Sequence, residues 1–109
     1  MQKVMLFEFH SPELNVTIEA YFNDKDCLVI DGFDIGKTVT KLLGDSDYEY
    51  SMTIAVDEVN KLYGILNLNH EPGELLRWLQ ANFNSNKCFS EIKKFLTENQ
   101  ILFSYFSWT

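Results

Sequence analysis

The chain is short of the residues that most often carry recognisable chemistry. It has two cysteines and two histidines in 109 residues. No two of these stand at helix or knuckle spacing from each other, so a zinc site is not expected. Cys27 and Cys88 both lie in apolar stretches and read as reduced core thiols. Long apolar runs are missing as well, the longest being about four residues, which is far short of a membrane-spanning helix. The N-terminus leads into an alternating strand without an apolar leader pattern, so no signal peptide is expected and the chain reads as cytoplasmic. Basic residues are scarce, nine against sixteen acids, for a net charge of −7. That balance argues against a general phosphate or nucleic-acid binder, whose affinity comes from cations displacing condensed counterions.

What is present is enough for one folded domain spanning 1–109. Hydrophobic residues make up 46% and aromatics 15%, which excludes disorder as the main state. A chain of this length buries roughly 65% of its unfolded surface. The acids are unevenly placed. Residues 1–57 hold eleven acids and four bases, whereas 58–109 hold five of each. All seven aspartates fall between Asp24 and Asp57. Turns and helix caps account for some of them.

Hydrophobic periodicity predicts the elements. Residues 2–10 read as a strand that is apolar on both faces. After a turn at Ser11-Pro12-Glu13, residues 14–22 alternate cleanly, with Leu14, Val16, Ile18, Ala20 and Phe22 opposite Asn15, Thr17, Glu19 and Tyr21. The two pair as a hairpin. Cys27–Ile30 reads as a short buried strand closed by Asp31-Gly32. Ile35, Val39, Leu42 and Leu43 recur at helical spacing before Gly44, which predicts a short helix over 35–43. Residues 47–56 alternate again, with Tyr48, Tyr50, Met52, Ile54 and Val56 on one side and Asp47, Glu49, Ser51, Thr53 and Ala55 on the other. Three helices follow. Asp57 is expected to cap the first, Pro72 to open the second and Ser85 or Asn86 to cap the third. The aromatic run Ile101 to Trp108 reads as a last strand. The expectation is therefore an α+β fold, a mostly antiparallel sheet with helices packed on one face and the C-terminal strand returning to the sheet.

Few combinations carry chemistry. Gly36-Lys37-Thr38 invites a phosphate-loop reading, but that loop needs four residues between its glycines, and Gly32 and Gly36 have three. Neither His10 nor His70 sits near a Ser or Cys in a recognisable nucleophile setting, although a Cys-His pair meeting in space stays open. Catalytic residues, metal ligands and cofactors are accordingly not expected. Asp45-Ser46-Asp47-Tyr48-Glu49 is the unusual stretch. On a strand Asp47 and Glu49 project together, with Asp45 just before them, and like charges so close repel. A hard divalent cation, acid/base work, a docking face for a cationic partner and a solvated surface are the four readings. No calcium-loop pattern and no sign of a raised pKa accompany the cluster, which weights the last two above the first two without removing those. Tyr48 and Tyr50 fall with the core residues, whereas Tyr21 sits on a polar face.

The run Leu28-Val29-Ile30-Asp31-Gly32-Phe33-Asp34-Ile35-Gly36, the stretch Gly44-Asp45-Ser46-Asp47-Tyr48-Glu49-Tyr50 and the Phe-Ser-Trp ending resemble a family of small acidic bacterial proteins. Its members commonly show an Asp-Gly-x-Asp-x-Gly turn, an acidic Asp-Tyr-Glu-Tyr strand, two or three helices and an aromatic-rich end. Some members are similar to immunity proteins of contact-dependent growth inhibition and related polymorphic toxin systems. The resemblance implies a non-enzymatic cytosolic protein that binds and neutralises a cognate toxin domain, often a nuclease. Independently, the charge map marks Asp45, Asp47 and Glu49, with Asp31 and Asp34 behind them, as the anionic contacts for a basic protein partner. No membrane or direct nucleic-acid partner is expected. The alternative is an adaptor or oligomeric subunit that uses the aromatic C-terminal strand for protein contact, and a homodimer stays open.

Overall fold

Alternation of apolar and polar side chains produces four consecutive strands: β1 (Lys3–His10), β2 (Leu14–Phe22), β3 (Leu28–Gly36) and β4 (Asp47–Ile54). Three eleven-residue helices follow, α1 (Val56–Leu66), α2 (Pro72–Asn82) and α3 (Cys88–Glu98), and then β5 (Ser104–Trp108). The structure, a computed structural model, describes residues 2–36 and 47–108. The strands form one antiparallel sheet in the order β1-β2-β3-β4-β5, so every sheet neighbour is also the next strand among the described residues. The α+β architecture and the returning C-terminal strand agree with expectation.

Period-2 alternation decides which side each strand residue takes. Ile18, Ala20, Ile30, Met52 and Ile54 are fully buried against Leu62, Leu75, Leu76, Ile92 and Leu96 of the helices. The helices thus cover one face of the sheet, and among the described residues no layer covers the other face. Burial on the covered face stabilises each large side chain by roughly 1.5–3 kcal/mol. Cys88 joins this core, and burial pushes its thiol up to about 11. Cys27 does not join it: it is half-buried, with its Sγ 3.9 Å from the Lys25 carbonyl. Among the described residues, no helix is long and apolar enough to cross a membrane.

Local chemistry corrects several boundaries. The strand read as ending at Ile30 runs on to Gly36, so Asp31-Gly32 is not a turn. Ile35 and Gly36 therefore belong to β3 and not to a helix, and the remainder of the helix expected over 35–43 lies outside the described residues. Position 55 is the N-cap of α1 without a side-chain bond, while Asp57 sits in the first turn, where it complements the helix dipole. Val56, expected on the strand, is already helical. In α2, Pro72 opens the helix as expected, and Glu71 accepts from the Gly73 and Glu74 amides at 2.8 Å each. Lys87 is the N-cap of α3, and Ser85 Oγ accepts from the Lys87 amide.

One carboxylate ties the helical layer to the segment that leads into the last strand. Glu58 on α1 accepts from the Leu102 amide at 2.7 Å and pairs with Lys61 Nζ at 2.8 Å. The Lys61 ammonium and that amide hold the carboxyl below the usual range. A lowered folded pKa means stability that is present above the ordinary carboxylate value and lost as pH falls through the lowered one. Glu58→Ala should lower the urea midpoint. Glu58→Gln, which keeps an acceptor for Leu102, should lower it less at neutral pH and converge on the wild type in acid. Urea unfolding across a pH series measures both.

Candidate functional site

The bare face of the sheet gathers acidic side chains from three strands. On β2 it carries Asn15, Thr17, Glu19 and Tyr21; on β3, Val29, Asp31, Phe33 and Ile35; on β4, Asp47, Glu49, Ser51 and Thr53. The register sets Glu19 opposite Asp31, Asp31 opposite Ser51, and Phe33 opposite Glu49. A depression of about 260 Å³ lies among them, lined by Glu19, Asp31, Phe33 and Glu49 over the Gly32 and Tyr50 positions. Three carboxylates therefore line one depression with an aromatic side chain, on a face that no helix covers among the described residues.

The central carboxylate is held in place. Asp31 accepts from Tyr21 Oη at 2.9 Å and from Ser51 Oγ at 2.7 Å. Burial and the Asp31 contact push the Tyr21 hydroxyl up to about 12. Tyr21, expected as an exposed residue, is instead half-buried and positions Asp31. Among the described residues, neither Asp31 nor Glu49 meets a lysine or arginine within ion-pair distance. Glu19 does, at 3.2 Å from Lys3 Nζ. Near the β1 edge, His10 bonds Asn15 and lies 3.3 Å from Glu8, and these contacts raise its pKa. Its charge is thus favoured at one margin of the face.

Of the five residues expected as anionic contacts, three lie on the bare face: Asp31, Asp47 and Glu49. Asp47 is exposed and Glu49 half-buried. Asp45 lies outside the described residues. Asp34 is a correction, because it faces the helix side of the sheet, opposite Val16 and Tyr48. The reason is parity. With β3 continuous through Asp31 and Gly32, residues 31 and 34 necessarily point to opposite sides. Glu19 and Phe33 were missed. Alternation had already placed Glu19 on the polar side of its strand, but only the pairing of β2 with β3 brings it beside Asp31.

Gly32 and Tyr50 explain that continuity. A Cβ built on Gly32 would run into the Tyr50 ring, so the ring occupies the space a side chain would fill on the helix side. The Tyr50 hydroxyl then reaches across β3 and donates to Asp34 Oδ1 at 2.8 Å. The ring packs edge-on against Phe89 at 4.8 Å and lies 5.2 Å from Tyr48. Burial raises the pKa of both partners, although the Tyr50 hydroxyl works against that shift at Asp34. Among the described residues, no three His, Cys, Asp or Glu side chains are grouped to hold a metal ion. Compared with known proteins, the chain matches no family model, no curated protein and no solved structure.

The Gly32–Tyr50 fit makes a direct prediction. Gly32→Ala should displace the ring and cost roughly 1–3 kcal/mol by overpacking. Tyr50→Phe, which keeps the ring and loses only the bond to Asp34, should cost on the order of 1 kcal/mol. Denaturant unfolding would separate them, and a change in near-ultraviolet circular dichroism much larger for Gly32→Ala would report the moved tyrosine.

Proposed function

We propose that this chain is a non-enzymatic binding protein whose bare sheet face docks the basic surface of a partner, as an immunity protein does when it neutralises a cationic toxin domain such as a nuclease. The observation that supports this reading is the depression ringed by Glu19, Asp31 and Glu49 beside Phe33. A nuclease must present cations to phosphates, and a surface of opposite sign competes for them and steers encounter. An arginine entering such a depression would meet carboxylates and an aromatic ring together, the combination that suits its planar, forked cation. Asp31 would need little reordering on binding, because two hydroxyls already hold it.

The test is association kinetics with a basic nuclease toxin domain that the chain is found to neutralise. Asp47→Lys with Glu49→Lys should slow association at least tenfold at low salt, and the difference should shrink as salt rises. Charge reversal of Glu91 and Glu98 on α3 should leave the rate close to wild type. Equal effects from both pairs would remove the bare face from the interface.

A second reading has its own support. β5 is the last strand in the sheet order, it carries no charged residue, and Tyr105 and Phe106 are 41% and 58% exposed. An uncharged aromatic edge strand suits contact with another chain. An adaptor or oligomeric subunit would use this edge. Sedimentation at micromolar concentration should then show a dimer that Phe106→Lys dissociates, whereas a monomer in both cases discards this reading.

A further inference from the structure

The helix side of the sheet has an opening of its own, away from the acidic depression. Burial on this face falls from Ile30, which is fully buried, to Asp34, which is only half so. Where coverage thins, depressions of about 280 and 220 Å³ meet at Asp34, Tyr50 and Asn86. Phe7, Phe9, Leu14 and Val16 wall the first. Tyr48, Phe89 and Tyr105 wall the second. Asn86 and Ser90 add polar atoms to the second, so the mainly carbon wall is that of the first, and Asp34 is the carboxylate that lines both.

We propose that this cleft binds a small organic amine, an ammonium group on an aromatic or alkyl body about one ring in size. Four observations carry the assignment. First, Asp34 spends one oxygen on Tyr50, and an ionised carboxylate has room for further donors. Among the described residues, no lysine, arginine or histidine meets it within ion-pair distance. Second, aromatic faces attract cations, and this wall already does so within the chain, since Lys93 Nζ sits 3.9 Å from the centre of the Tyr105 ring. Third, the first depression is walled mainly by carbon, with Phe9 46% exposed, and favours a ligand with a hydrophobic body over a hydrated ion. A hard divalent cation such as calcium or magnesium would need six or more oxygen ligands and finds one carboxylate here. Fourth, each depression is smaller than the roughly 300–1,000 Å³ of drug-sized pockets, which restricts the ligand to a small one. The surrounding carbon also raises the pKa of Asp34 through desolvation, a cost that an incoming cation offsets.

The probe is 2-phenylethylammonium, with 2-phenylethanol as its neutral counterpart, titrated into the full chain and followed by NMR. The amine should bind saturably, with shifts centred on Phe9, Val16, Asp34 and Tyr50, and at least tenfold more tightly than the alcohol. Asp34→Asn keeps an acceptor for the Tyr50 hydroxyl, so the fold should survive. It should lower amine affinity at least tenfold while leaving the alcohol unchanged. Phe9→Ala, at an exposed position, should weaken both ligands. Equal affinity for amine and alcohol, an unaffected Asp34→Asn variant, or shifts confined to Glu19, Asp31 and Glu49 would each overturn the assignment. Tighter binding of N-acetyl-lysine amide than of the free amine would overturn it in favour of a partner's side chain.

Discussion

Tyr50 lying across Gly32, with its hydroxyl on Asp34, is the contact on which the arrangement of the sheet depends. A glycine in mid-strand weakens a sheet, because it brings no side chain to pack and has much conformational freedom to lose. Here a neighbouring aromatic ring fills the gap, and Asp34 anchors the far end of that ring. β3 can then pass through Asp31-Gly32 without turning and stay paired with both β2 and β4. The consequence reaches every residue on these strands, since a slip of one position would exchange the two faces. With this register, Asp31, Asp47 and Glu49 stand on the bare side, while Asp34 and Tyr50 stand on the covered side.

The two faces handle negative charge differently. On the bare face, like-charged neighbours repel at short range, and hydroxyls moderate the repulsion. Tyr21 and Ser51 satisfy Asp31, and Lys3 partly neutralises Glu19. The Lys3 pair is exposed and contributes little to stability, so its effect is to shape the local field. The remaining potential is directed outward, which suits long-range attraction of a basic surface. On the covered face a single carboxylate sits among aromatic rings. The low dielectric there makes its charge costly unless a counter-charge arrives. This difference underlies the two proposals, a broad cationic partner for one surface and a small cation with a carbon body for the other.

The sequence alone determined the parts that depend on local periodicity. Alternation from Leu14 to Phe22 marked β2 to the residue, and alternation from Asp47 sorted the tyrosines of β4 from its acids. Helical spacing and Pro72 located the three helices, and aromatic density located the returning strand. These signals work because side-chain direction repeats every two residues in a strand and every 3.6 in a helix. Only the tertiary structure decided the rest. Asp31-Gly32 looks like a turn until a ring eighteen positions away fills the glycine's gap. Asp34 looks like a partner of Asp31 until strand continuity turns it to the other side, and Glu19 joins the acidic depression only through pairing between strands. Cross-strand contacts are set by packing between distant segments, and no local pattern encodes which side chain will lie opposite which.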